Sequence, residues 1–566
     1  MELYSCLLPQ GLVARDAELP RLALVGCVVD QPSDRDDSPL ACDRLTVKLL
    51  SLAGARIAGD GSSGSVSLLG AHVAGMLSCE GADISNESGP AVHADGLHVD
   101  QNLAFIEGFR ATGCGSLGAI SLIGAHVGGQ LNCTGAIIRN DSGPALQADR
   151  LEADQNVAFI GQFHATGAGD DGAVRLIGGH ISGQLMCIGA TIRNDSGPAL
   201  VADGLYVSQD VGLVHGFCAT GAGERGAVRL IGAHIAGELM CERATVSNDS
   251  GPALYADGLR VDQNVALAGV FKSTGTSSGA AVRIPGAHVA GDLDCTDLTI
   301  TSDSGPALYA DGLRVDQDVV LNSRFRAAGA GTSAVVSLSG ALIGGHLLLD
   351  QRWAAADRSA WPAANTSYAQ AVLDVDGLSY AGVPVGVDWH DWRRILVHGT
   401  PAYAAQPYQQ FANAMRAAGH DQRLRQILMD QRRDQIRRGV VSGADRMWAR
   451  ITGLTLGYGY QPWRALIGLV AVIASSVILA AVVLGPRGGL AHTDGAKATP
   501  CSLLEQVGVG LDLNLPMLRT GTAADCHPTG SATGDALTVA AWLLQVFAWA
   551  LAALFIAGFT GAVRKT

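Results

Sequence analysis

Histidines stand at His72, His126, His180, His234 and His288, each 54 residues after the last. Aligned with the half-repeats between them, they form one column: His72, His98, His126, Glu152, His180, Tyr206, His234, Arg260, His288, Arg314. Imidazole and carboxylate are ligands for divalent transition metals. If the column stacks at the spacing of paired strands, about 4.8 Å, His98 with His126, or His126 with Glu152 and His180, could share an ion. The column ends in arginines, and in G-A-H-I the alanine and isoleucine face inward, so the histidine faces out. A solvated face is the reading adopted; the metal set His98, His126, Glu152, His180 stands as its rival.

A second column keeps the same time with sulfur: Cys79, Phe105, Cys133, Phe159, Cys187, Leu213, Cys241, Leu267, Cys295, Leu321, Leu349. Cysteine alternates with large apolar residues, so this column points inward. Its cysteines recur every second coil, about 9.6 Å apart on the same spacing, beyond disulfide reach. They read as small buried hydrophobes.

Three stretches match G-x-G-x-x-G: Gly113–Gly118, Gly167–Gly172 and Gly221–Gly226. A dinucleotide fingerprint needs a strand before it and a helix after it. Each match is instead followed by an alternating stretch such as Ala227–Leu230, and Asp170, Asp171 and Glu224 would repel a pyrophosphate. The aspartates of A-D-G-L, Asp95, Asp203, Asp257 and Asp311, read as turn chemistry; Asp149 keeps the acid, but Arg150 replaces its glycine. No local signature of a catalytic triad, phosphate loop or zinc motif is present. No catalytic or cofactor-binding residue is assigned, and no cofactor is expected.

The elements that carry these columns follow from the period. Pro90, Pro144, Pro198, Pro252 and Pro306 each lie in an S-G-P-A tetrapeptide, 54 residues apart. A fixed period means stacked units that cannot bury their apolar faces alone. Each unit has two similar halves, as in Gly204–Leu213 and Gly232–Cys241, built of short alternating stretches, which are strands. The expected fold class is an all-β solenoid, a parallel β-helix with one coil per ~27 residues and roughly thirteen coils, over residues 1–390. Ala371–Asp388 is its last, worn copy.

All eight tryptophans lie after residue 350. Residues 391–462 are expected to form a basic helical hairpin that turns at Gly419 and caps the open end of the β-helix, whose edge would otherwise invite aggregation. Residues 388–464 hold 12 Arg, no Lys and 6 Asp, while the whole chain carries −13, so the solenoid is strongly acidic. An acidic rod is a poor partner for nucleic acid, and none is expected.

Two uncharged apolar runs follow, within residues 463–485 and 536–560, each long enough to span a bilayer. Basic flanks (Arg446, Arg450 and Arg464 before the first, Arg564 and Lys565 after the second) favour the inner side. Met1–Gln10 lacks the make-up of a signal peptide. The expectation is therefore a multi-pass protein of the cell membrane, with the solenoid and the tail 561–566 cytoplasmic and 486–535 an outside loop. Cys501 and Cys526 in that loop read as a disulfide, with two unpaired thiols as the alternative. Gly457–Tyr460 reads as an interfacial turn, and Leu503–Leu518 as a segment lying on the outer membrane surface.

The repeated G-A-H-I-x-G-x-L-x-C and G-P-A-L-x-A-D-G-L-x-V-D-Q units, the LTLGYGYQPWRA before the first span and the AGFTGAVRK at the end resemble an actinobacterial family of repeat-containing membrane proteins. Its members are often labelled membrane-associated oxidoreductase, and the likeness covers nearly the whole chain. The resemblance implies a cytoplasmic repeat domain on a membrane hairpin and brings no catalytic residues. The function expected from the residues is an interaction scaffold anchored in the bilayer, binding a protein partner or another copy. A membrane-associated oxidoreductase and a small channel- or transporter-like subunit are the alternatives.

Overall fold

The computed structural model describes the chain apart from residues 32–37, 275–278, 323, 331–332, 351–352, 354–371, 440–442, 493–498, 514–520 and 566. It divides into two compact units, Met1–Ala414 and Met415–Thr566.

The first unit is the parallel β-solenoid. One coil runs through Val66–Ser67, His72–Val73, Leu77–Ser78 and Asp83–Asn86, giving four short strands separated by corners. Stacked coils form one 25-stranded sheet covering two faces, and two further sheets of 14 and 13 strands. The pairing between coils is parallel throughout, as in Val157–Ile160 on Leu185–Ile188. Alternation does the sorting: Val73, Val99 and Val127 are buried while their neighbours His72, His98 and His126 are not.

Phe159, Cys187 and Leu213 stack in register, as do Cys241 with Leu267 and Leu321 with Leu349, and all are buried. Phe105 packs on Phe109 and Phe159 on Phe163, with ring centroids 4.8 and 4.7 Å apart. Such pairs add about 0.5–1.5 kcal/mol each beyond their buried area.

Corners need left-handed backbone, which glycine adopts without strain. Gly96, Gly204, Gly258 and Gly312 of A-D-G hold φ values of 65, 63, 65 and 65°. Arg150, in the same position, is forced to φ 56° despite its side chain. Buried polar groups are also periodic. Asn86, Asn140, Asn194 and Asn248 lie inside, and each side-chain oxygen accepts a backbone N–H two residues on: from Ser88, Ser142, Ser196 and Ser250.

The worn copy is a true coil: Leu373–Asp374 pairs with Val336–Ser337, and Val385 bridges Leu348. Trp361 lies outside the described residues. The solenoid is then closed by α1 (Trp389–His398) and the start of α2 (Gln406–Ala417). Asp388 caps α1 by accepting from the Asp391 N–H. Gln406 and Gln410 donate to the carbonyls of Leu378 and Tyr380 at 2.8 and 2.6 Å, and Gly399 O accepts from Val372 N–H at 2.8 Å. Trp392 is fully buried against Tyr380. Capping thus falls to α1 and α2, and the unit boundary lies inside α2. The division between the units falls within residues 391–462, the stretch expected to form a hairpin cap turning at Gly419.

The second unit continues through a turn at Gly419 (φ 72°) into α3 (Asp421–Arg437) and α4 (Gly443–Leu456). Gly457–Gly459 forms a short 3-10 turn with Tyr458 at φ 58°. A Cβ on Gly453 would lie 2.7 Å from the Tyr458 ring, so only glycine lets that ring lie on α4.

Next come α5 (Trp463–Ile478), a π-helical stretch Leu479–Leu484, α6 (Leu503–Asp512) and α7 (Ala532–Lys565). Trp463–Arg487 and Ala532–Thr560 are long and apolar enough to cross a membrane. They pack on each other at Gly468 and Leu551, yet Val470, Val482, Trp542, Val546 and Phe547 remain more than half exposed. That exposure separates them from the buried core helices of a soluble protein.

Candidate functional site

The histidine column forms in full register, from His72 on His98 and His98 on His126 down to His288 on Arg314. The structure adds an acid partner that the column reading missed. Each histidine of the G-A-H type reaches the aspartate 28 residues on. His72 Nε2 lies 2.8 Å from Asp100, His126 3.3 Å from Asp154, His234 2.8 Å from Asp262 and His288 3.0 Å from Asp316. His180 is the exception, because Ser208 stands where the aspartate would be; its ring stacks on Tyr206 at 4.8 Å.

Most of these aspartates are gripped from their own coil as well. Arg260 bonds Asp262 and Arg314 bonds Asp316, both at 2.8 Å, and His98 Nε2 lies 3.0 Å from Asp100. The His72 hydrogen bond holds the Asp100 carboxyl below its ordinary range, with His98 adding to the effect.

The expected metal set does not converge. His98 and His126 meet, with Nδ1 atoms 3.0 Å apart. Glu152 is an exposed neighbour in register, and His180 turns to Tyr206. The donors that do converge are His72, His98 and Asp100, whose ligand atoms all lie within 4.8 Å of one another. The signal was present in the sequence as the V-D after His98: His98 faces His72 from 26 residues on, and Asp100 stands two positions further, off the histidine column.

The A-D-G aspartates also act across coils rather than only within their turns. Asp149 accepts from Arg175 at 2.6 Å and from the Ile177 N–H at 3.2 Å. Asp203 accepts from the Ile231 N–H, and Asp95 from the Ile123 N–H, in the same way. Asn102, Asn156, Asp210, Asn264 and Asp318 serve another corner, each accepting a backbone N–H 28 residues later.

Burial pushes the thiols of Cys79, Cys187 and Cys241 up to about 12, and those of Cys133 and Cys295 upward as well. A thiol is nucleophilic or metal-binding only as thiolate, and burial holds this column in the neutral thiol form. Each G-x-G-x-x-G stretch connects two strands, as Cys218–Gly221 leads to Val228–Arg229. No helix N-terminus follows for a pyrophosphate.

Sequence reasoning also missed a groove of about 660 Å³ at the bend between the two faces of the largest sheet. Its lining includes Arg110, Asn132, Ile137, Arg139, Gln162 and His164. Most solenoid arginines are paired, as Arg175 is with Asp149; Arg110 and Arg139 meet no carboxylate among the described residues. The groove sets these two arginines beside one carboxylate of the lining, Glu107.

Between the two apolar helices, Cys501 and Cys526 are joined by a disulfide. It ties Thr499–Pro500 to Cys526–Pro528 across a three-stranded sheet centred on Leu490–His492. Ser502 and Glu505 form a reciprocal capping box at the start of α6. Glu505 also lies 3.1 Å from His492, whose imidazole is raised by its bond to the Asp525 carbonyl and then by Glu505. Because the Cys501 sulfur is committed to the disulfide, His492, Cys501 and Glu505 do not make a ligand set. α6 rests on the first apolar helix: Ser476 Oγ donates to the Gly510 carbonyl, and a Cβ on Gly510 would lie 2.8 Å from Val477 Cα. The segment expected to run to Leu518 lies partly outside the described residues.

No family model, curated protein or solved structure matches this chain.

Proposed function

We propose that the protein is an interaction scaffold: an acidic β-solenoid held at the cell membrane by a two-helix hairpin, with the solenoid on the cytoplasmic side. The observation that carries this reading is the register of the outward columns. Thirteen or more strands per face present the same side-chain positions at each coil, and the faces are flat, hydrogen-bonded and without a catalytic constellation among the described residues. Rigid periodic surfaces suit recognition more than reaction.

The membrane side rests on the exposed apolar helices and on charge. Twelve arginines in residues 388–464 favour the inner leaflet, and a disulfide between the helices suits the oxidising side. The groove at Arg110 and Arg139, which also holds Glu107, fits a polar segment of a protein partner. Full-length protein in mild detergent should bring down a stoichiometric partner or self-associate after gentle cross-linking. A monomer that recovers nothing stoichiometric would sink the scaffold reading. Alkylation of Cys114 and Cys218 only after permeabilising cells would support the orientation.

A second reading has its own observation. α6 is a short, capped helix between the two apolar helices, seated on the first by the close approach of Gly510. That arrangement suits a small channel-like subunit, if hairpins oligomerise around it. Ion flux in vesicles, abolished by Gly510→Leu, would favour it over the scaffold. A stoichiometric bound chromophore would favour instead the oxidoreductase that the family resemblance implies.

A further inference from the structure

The contacts around His98 are one cation short. Asp154, His126, His98 and Asp100 form a chain with three links: Asp154 Oδ2 to His126 Nε2 at 3.3 Å, His126 Nδ1 to His98 Nδ1 at 3.0 Å, and His98 Nε2 to Asp100 Oδ1 at 3.0 Å. A neutral imidazole carries one N–H, and a carboxylate carries none. Two imidazoles therefore supply two hydrogens for three links. While both imidazoles are neutral, one link sets a lone pair against a lone pair wherever the two are placed; a third proton or a bound metal ion closes it.

The rest of the column shows what is missing. Asp262 and Asp316 stand in the same position, each between a histidine of the preceding coil and an arginine of its own. There a permanent guanidinium closes the charge balance. At Asp100 the arginine is replaced by His98, which offers a lone pair instead of a fixed positive charge.

We propose that His72 Nε2, His98 Nε2 and Asp100 Oδ1 bind a divalent first-row transition metal of the zinc class. With the ion in place, His98 Nδ1–H donates to His126 and His126 Nε2–H donates to Asp154, so every link is satisfied. An imidazole ligand that donates its second N–H to an orienting acceptor is the usual arrangement around such metals. Two imidazoles and a carboxylate suit zinc, nickel or cobalt better than calcium or magnesium, which take oxygen sets. His72 and Asp100 are 2.8 Å apart. Accommodating ligand bonds of about 2.0–2.2 Å asks these exposed side chains to part by a few tenths of an ångström. A fourth position stays open to water or, on the scaffold reading, to a donor from a partner.

The test is a cobalt titration of full-length protein in mild detergent after chelator treatment. The expected result is one equivalent of Co²⁺ with a visible d–d absorption, displaced by Zn²⁺. His98→Ala and Asp100→Asn should abolish it, and His126→Ala should weaken it about tenfold. His234→Ala and His288→Ala should leave it unchanged. Absence of a saturable absorption, or equal loss in His234→Ala, would overturn the site. A measurement without variants is diethyl pyrocarbonate modification read by mass spectrometry. Zn²⁺ should protect His72 and His98 but not His234, and equal reactivity of the three would also overturn it. Neither readout depends on finding a partner, so the site and the scaffold can fail separately.

Discussion

The side-chain amide of Asn194 donates to the carbonyl of Gly169, in the preceding coil, at 2.9 Å. The same amide reaches Pro198 O at 3.0 Å, and its oxygen accepts from Ser196 and Gly197, both at 3.0 Å. One buried residue therefore settles four backbone groups. Asn140 repeats the bonds to Gly115 and Pro144 one unit earlier.

Asn194→Ala removes these partners and leaves buried backbone groups unsatisfied. A cost of about 2–3 kcal/mol is expected, since an orphaned buried group loses its full solvation. Hydrogen exchange of the coils around residues 169–200 should quicken, while the coils near residue 60 keep their protection. Uniform exchange rates across the solenoid would contradict the local role.

Thiol reactivity should split along the inward column. Cys79, Cys133, Cys187, Cys241 and Cys295 are buried, whereas Cys6, Cys114 and Cys218 are partly accessible. Alkylation of the native protein at neutral pH, read by peptide mass spectrometry, should modify the second group and spare the first. Modification of Cys133 at the rate of Cys114 would mean the coil opens there.

His93 is a half-buried group with a worked pH dependence. Its hydrogen bond to Asp95 at 3.3 Å raises its pKa above the ordinary histidine value, against the effect of burial. A raised folded value means that the stabilisation is fully present below the unfolded histidine pKa, about 6.5, and is lost as pH rises through the folded value. His93→Gln should flatten the fall in thermal midpoint between mildly acidic and alkaline pH. An unchanged slope would remove His93 from the account.

The disulfide closes a loop between positions 25 residues apart. Cross-linking at that separation stabilises by about 3 kcal/mol in the chain-entropy view. Cys501→Ser with Cys526→Ser should lower the thermal midpoint of the detergent-solubilised protein and expose the segment 486–535 to protease. Equal protease resistance with and without reductant would show that α6 holds the segment alone.

Gly510→Ala tests that contact directly. Its new Cβ would meet Val477 Cα at 2.8 Å, backbone that cannot yield by a side-chain rotation. Overpacking of this kind costs about 1–3 kcal/mol. A cysteine pair placed across α5 and α6 should cross-link more slowly in this variant than in its Gly510 parent.

The solenoid was legible because its period is written in proline, cysteine and histidine, residues too distinctive to recur at 54 by accident. Inward and outward positions followed from alternation alone, as at His72 and Val73. The partners of outward residues were harder. His72 meets Asp100 because Asp100 follows the facing residue His98 by two positions, outside the histidine column, and a search confined to that column chose Glu152 and His180 instead. The groove at Arg110 and Arg139 comes from the bend between two faces, which no one-dimensional pattern contains. α1 was hidden by its length: ten residues carry too few turns to show a stripe, although Asp388 supplied a cap before it. The capping role of Gln406 and Gln410 was hidden because they are ordinary helix residues until the carbonyls of Leu378 and Tyr380 are seen beneath them.

The latch recurs from unit to unit, in the asparagine inside at Asn86, Asn140, Asn194 and Asn248, replaced by Ser302 in the next, and in the aspartate at the corner at Asp95, Asp149, Asp203, Asp257 and Asp311. Excising one whole unit, or copying one, would join like to like and leave each surviving bond with its usual partner. Length in this protein is therefore a countable trait, open to change by duplication or loss in the gene without a new interface having to arise. A change of half a unit would set like coils together, a cysteine against a cysteine in the inward column. Its reach is written as a copy number.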